Sequence, residues 1–169
     1  MADRAYSASS RAALVRVLGI DPGIQRLGYA VLEIEGSEIT PLSYGLISTE
    51  PGIPKNDRLY QVTRDVETLI KKYSPKVMGL ETLIFAKNTR TAMVISEVRG
   101  ALLVLGKSYD MDIVEFSPLQ VKTSVCGYGR ASKSQIQQAV RILLSLAETP
   151  SPDDVADAIA IALCSAHRR

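Results

Sequence analysis

The chain holds one histidine, His167, and two cysteines, Cys126 and Cys164, among its 169 residues. The cysteines lack metal-ligand spacing and the histidine stands alone, which disfavours a zinc site. Two unpaired thiols read as reduced residues of a cytoplasmic protein. No apolar run approaches the roughly 20 residues of a membrane span. Met1–Arg16 lacks the apolar h-region of a secretory signal. Aromatic residues make up only 5% of the chain, and the two phenylalanines are Phe85 and Phe116. Charge is nearly balanced, with 20 Lys and Arg against 18 Asp and Glu, but it is unevenly placed along the chain.

What remains is a chain that is 46% apolar and long enough for one well-buried core. Residues 1–14, rich in Ala, Ser and Arg, are expected to be a flexible leader, and residues 15–169 one domain. Val15–Ile20 is short, apolar and rich in β-branched residues, which predicts a strand. It ends abruptly on Asp21, followed by Pro22-Gly23. Residues 27–35 and 38–48 predict two further strands, joined at Gly36-Ser37 as a hairpin. Leu59, Val62, Val66, Leu69 and Ile70 recur at helical spacing and predict a helix over 55–73. Val77–Leu80 repeats the opening pattern, ending on Glu81. A long helix over 88–109 follows, with small residues Ser96, Gly100 and Ala101 that permit close helix approach, either in the core or between two copies. A fifth strand is expected at 113–116. Ser117-Pro118 and Ser132 are helix caps, opening helices to about Val125 and to Leu146. The last helix is expected to begin with Ser151 as cap and Pro152 at its first position.

Asp154 and Asp157 are three apart and share a face of that last helix. An aspartate in a first turn commonly does no more than complement the helix dipole. That accounts for Asp153, but not for Asp157, which lies a turn further in among Val155, Ala156, Ala158 and Ile159. A carboxylate in such a setting needs a partner. The same holds for Asp21 and Glu81 at the ends of apolar strands. Four carboxylates gathered at one place would repel one another unless divalent cations lay between them. An oxygen-only ligand set selects hard ions, Mg²⁺ or Mn²⁺. Two such ions can clamp the attacking and leaving oxygens of a phosphoryl displacement. From Ser117 to Ala147 the chain carries Lys122, Arg130, Lys133 and Arg141 and no acidic residue. Such local positivity is ordinary on a solvated helix, and near a carboxylate site it also suits a phosphate backbone. Between strand and helix, Ile84, Phe85 and Lys87 form a loop. Phe85 there is either a core residue or one that wedges between bases.

Taken in order, several segments resemble the RuvC family of bacterial Holliday junction resolvases, within the RNase H-like superfamily. They are Leu18–Gly23, Glu81 with Phe85–Asn88, Arg99-Gly100, Gln120–Lys122, Gly127–Gly129 with Lys133-Ser134, and Asp154–Ala160. The likeness runs from about Arg16 to His167. It implies an α/β fold with a mixed five-stranded sheet, three strands antiparallel and two parallel, flanked by helices. It implies a homodimer that nicks four-way junction DNA symmetrically, leaving 5′-phosphate and 3′-hydroxyl ends, with one or two Mg²⁺ per subunit. Asp21, Glu81, Asp154 and Asp157 match the family's acidic tetrad, and Lys122 and Lys133 its functional lysines. The segment carrying Ile84, Phe85, Lys87 and Arg90 matches the one that enters the junction centre, and Arg130 adds a DNA contact. Many members carry an aromatic residue where this chain has Ile84; here the aromatic is Phe85. RuvA and RuvB, the branch-migration proteins, are the implied partners. Other readings are another RNase H-like nuclease, a non-catalytic junction-binding scaffold, and an actin-like kinase or ATPase. The last needs two domains, for which the chain is too short.

Overall fold

A computed structural model describes residues 13–83 and 89–168. Its strands are β1 Val15–Asp21, β2 Arg26–Glu35, β3 Glu38–Ser48, β4 Val77–Glu81 and β5 Asp112–Phe116. They form one sheet in the order β3-β2-β1-β4-β5. β1, β2 and β3 pair antiparallel, and β4 and β5 extend the sheet in parallel from β1. This is the expected mixed sheet. Gly36, with φ 63°, makes the two-residue turn between β2 and β3 possible.

Five helices cover the sheet: α1 Lys55–Tyr73, α2 Thr89–Ser108, α3 Pro118–Cys126, α4 Lys133–Leu143 and α5 Asp153–His167. Side chains alternate across each strand, so every strand serves two cores. Leu18, Ile20, Val31, Met78 and Leu80 face α1 and α2. Val17, Ala30, Leu32 and Val77 face the side of α3, α4 and α5. By the same period of two, Asp21 follows Val17 and Gly19, and Glu81 follows Val77 and Gly79. Both carboxylates therefore lie on the α5 side of the sheet.

Helix α5 is buried almost throughout and crosses the sheet in backbone contact. A methyl group on Gly28 of β2 would overlap the carbonyl oxygen of Asp154, one on Gly19 of β1 the Ala158 carbonyl oxygen, and one on Gly79 of β4 the Ser165 hydroxyl. Three glycines on three adjacent strands thus mark the diagonal path of the helix. Gly28 is also the residue paired opposite Asp21. The glycine contact fixes the start of α5 over Gly28 of β2, beside the end of β1.

Three expectations are corrected. Helix α4 ends at Leu143 rather than Leu146, because Ser145 takes a left-handed φ of 50°. The Ser145 and Leu146 amides then donate back to the carbonyls of Ile142 and Arg141, the Schellman pattern with serine where glycine is usual. Helix α5 is capped by Pro152 rather than Ser151, without a side-chain cap bond, and two aspartates fill its first turn. Of the two readings of the small residues of α2, the core one fails at Gly100, which is exposed and has open space where a methyl group would stand. Residues 1–12 of the expected leader, and Asn88 at the expected start of α2, lie outside the described residues.

The glycine contact makes a quantitative claim. Gly28→Ala should lower unfolding free energy in denaturant by about 1–3 kcal/mol, the usual loss on overpacking. Gly52→Ala, with nothing within 4 Å of the added carbon, should stay within about 0.5 kcal/mol of wild type. Equal effects at the two positions would show that α5 yields freely.

Candidate active site

Asp21 and Glu81 end the neighbouring parallel strands β1 and β4. They line a cleft of about 210 Å³ with Pro22, Thr82, Leu83, Ile95 and Pro118. Glu81 also lines an adjoining cleft of about 100 Å³, together with Asp157, Lys122 and Lys133. One end of the sheet thus brings together Asp21 and Glu81 from strands, Asp154 and Asp157 from α5, Lys122 from α3, and Lys133 from the start of α4. These elements are far apart in sequence and meet because α5 lies across the sheet and α3 and α4 pack beside it.

The electrostatics follow from that gathering. Burial, and then the charges of Asp157, Glu81 and Asp154, push the Asp21 carboxyl up to about 7, against partial relief from Lys133. Burial pushes Asp157 up to about 6, reinforced by Asp153 and Asp154 and opposed by Lys133 and Lys122. Glu81 is raised by burial and by Asp157, with Lys122 and Arg99 opposing. Lys133 ion-pairs with Asp153, which holds the lysine above and the aspartate below its ordinary range.

Two arginines belong to this site that the sequence did not assign to it. Arg99 of α2 is 7% exposed. It donates to the backbone carbonyl of Glu81 and to the Glu115 carboxylate, tying the ends of β4 and β5 to the helix. Arg26, the first residue of β2, ion-pairs with Asp153 and Asp154. Arg99-Gly100 stood out as a segment, but a buried arginine is not distinguishable from an exposed one by pattern. Arg26 is an exposed residue at the start of β2, after exposed Gln25, and carried no signal at all.

The remaining candidates are placed differently. Arg130 is exposed in the turn between α3 and α4, and Arg90 is exposed in the first turn of α2. Ile84, Phe85 and Lys87 lie outside the described residues.

The donor set is all oxygen and suits a hard divalent cation. Its carboxyls are raised by burial first and by neighbouring carboxylates second, and a bound cation would offset both. Among the described residues, no three acids stand close enough to close around an ion. The carboxylates fit by chemistry and share one end of the sheet, and Asp154 is engaged by Arg26.

The model of the family described as crossover junction endodeoxyribonuclease RuvC matches residues 17–165. The chain belongs to the RuvC family. It is 47% identical over 153 residues to the crossover junction endodeoxyribonuclease RuvC of Caldanaerobacter subterraneus, covering 90% of this chain and 93% of that one. Among solved structures it is similar to RuvC of Thermus thermophilus, at 32% identity and a TM-score of 0.82. It is similar also to that protein in complex with a Holliday junction substrate, at 31% identity and a TM-score of 0.85. Each match covers 90% of this chain and 93% of the other. The RuvC match bears out the RNase H-like α/β fold class and the assignment as an endonuclease. Nucleases of this family are metal-dependent.

The raised carboxyls dictate how the metal-free protein responds to pH. A carboxyl whose folded pKa exceeds its unfolded value of 3.8 favours the fold while protonated. That contribution is whole below about pH 4 and is lost as pH climbs through about 6 for Asp157 and about 7 for Asp21. In chelator, stability should therefore fall between pH 4 and pH 8 from these groups. Asp21→Asn should be the more stable protein at pH 8, by on the order of 2–4 kcal/mol, and lose that advantage near pH 4. Denaturant titration across that range checks it; an Asp21→Asn protein less stable than wild type at pH 8 would contradict the repulsion.

Proposed function

We propose that this chain resolves four-way DNA junctions by paired, metal-dependent nicks that leave 5′-phosphate and 3′-hydroxyl ends. The observation that carries the reading is the gathering of four carboxylates from three elements at one end of the sheet, two of them, Asp21 and Asp157, driven toward neutrality by burial and by neighbouring carboxylates. That arrangement occurs in a chain whose family is named for junction cleavage.

In this reading Asp21, Glu81, Asp154 and Asp157 hold one or two Mg²⁺ per subunit, with Mn²⁺ able to substitute. The bound cation would supply Lewis-acid assistance to the attacking water and the leaving 3′-oxygen. The rest falls to the protein. Asp21 is half-buried in its cleft, which strengthens the charge interactions there. Lys122 shares a cleft with Glu81 and Asp157, where its ammonium meets the scissile phosphate as negative charge develops. Lys133 opens α4 at the same cleft and turns a second ammonium toward the substrate backbone. Arg130, Arg90 and Lys87 contact phosphates further out, and Ile84 and Phe85 serve the junction centre.

Paired nicks require two copies. Helix α2 offers a surface for a homodimer: Met93, Gly100 and Val104 fall on one helical face, with Met93 66% and Val104 71% exposed. RuvA and RuvB are the proposed partners, and the cytoplasm the compartment. No described helix is long and apolar enough to cross a membrane.

The deciding experiment is cleavage of a mobile four-way junction with Mg²⁺, mapped on all four strands, beside linear duplex and RNA–DNA hybrid. Symmetric nicks near the crossover are expected, and cleavage of the hybrid alone would overturn the reading. Asp21→Asn, Glu81→Gln, Asp154→Asn and Asp157→Asn should each abolish cleavage and keep junction binding. Lys122→Ala should reduce the rate more than the affinity; an equal loss in both would make it a plain phosphate contact. Val104→Glu should lower the solution mass from dimer to monomer in light scattering without lowering secondary-structure content.

A further inference from the structure

Arg26 reaches from the start of β2 to the first turn of α5, 128 residues away. Its guanidinium lies 3.4 Å from Asp153 and also pairs with Asp154. Lys133 pairs with Asp153 as well. The first turn of α5 is therefore neutralised from within the chain by two side-chain cations. Asp157, one turn further in, shares a cleft with Lys122 and Lys133, and its carboxyl is pushed up by burial.

Two observations belong together. Asp154 is committed to Arg26, and among the described residues no three acids are close enough to hold an ion. We infer that Arg26 is a built-in counter-ion that competes with the divalent cation for Asp154, so that Asp154 must leave Arg26 before the acidic cluster can close. This rests on the reading of Asp154 as a metal ligand. An arginine suits the task because it stays charged across the working pH range, so the competition does not vanish when pH rises. Its side chain is 47% exposed, and an exposed ion pair is weak enough to be displaced. Arg26 thereby raises the concentration of cation at which the site fills, while keeping the empty cluster tolerable.

The test is Mn²⁺ binding by calorimetry, without DNA, to wild type and to Arg26→Gln, Arg26→Lys and Asp154→Asn. Arg26→Gln should bind Mn²⁺ about three- to fivefold more tightly, the scale of losing one exposed pair. Arg26→Lys, which keeps the charge, should fall between Arg26→Gln and wild type. Asp154→Asn should bind more weakly than wild type. Arg26→Gln binding no more tightly than wild type, with Asp154→Asn weakened, overturns the competition. Asp154→Asn binding as wild type does overturns instead the assignment of Asp154 as a ligand.

Discussion

The rest of the structure depends on how closely α5 can approach the sheet. Helices usually pack on sheets through side chains, which hold the two backbones apart. Here Gly19, Gly28 and Gly79 remove the side chains from three adjacent strands along the path of the helix. The helix answers with small residues, Ala158 and Ala162 among them, and its backbone meets the sheet directly. Since Gly28 pairs opposite Asp21, this contact sets where the first turn of α5 falls. The acidic cluster is thus a product of packing: the same contact that buries α5 brings Asp154 and Asp157 to the strand ends.

That packing opposes electrostatics, and the sequence answers with cations set around the cluster. Lys122 and Lys133 stand across the cleft from Glu81 and Asp157. Arg99 approaches Glu81 from behind, and Arg26 approaches Asp154 from β2. Even so, Asp21 remains at about 7 and Asp157 at about 6. The surrounding cations offset only part of the cost of burying these carboxylates beside one another. A fold that retains such a conflict at one place, with local preferences satisfied elsewhere, marks that place as functional.

The elements were legible in the sequence because each carries its own punctuation. β-branched runs end at Asp21-Pro22-Gly23 and Gly36-Ser37, and Ser117 and Ser132 both form complete capping boxes. The four carboxylates were legible one by one, each as an acidic residue where an apolar pattern should continue. Their meeting was not, because it depends on the crossing of α5, and a glycine on a strand does not announce which helix it will meet. The end of α4 was missed because Ser145 adopts a conformation expected of glycine or asparagine. Arg26 was missed because an ion pair spanning so much of the chain leaves no local pattern.

The two halves of the cluster are held in different ways, and this bears on how it assembles. At the strand side, the Thr82 amide donates to the Phe116 carbonyl at 2.8 Å, and buried Arg99 binds the Glu81 carbonyl and Glu115. The backbone that carries Glu81 is fixed by hydrogen bonds to β5 and to α2. At the helix side the backbone is fixed as firmly, by the glycine contact, but the Asp153 and Asp154 carboxylates are engaged by exposed cations. Exposed ion pairs are exchangeable where buried hydrogen bonds are not. The backbone at Glu81 is therefore held by buried hydrogen bonds, whereas the Asp153 and Asp154 carboxylates are held by exposed, exchangeable ion pairs.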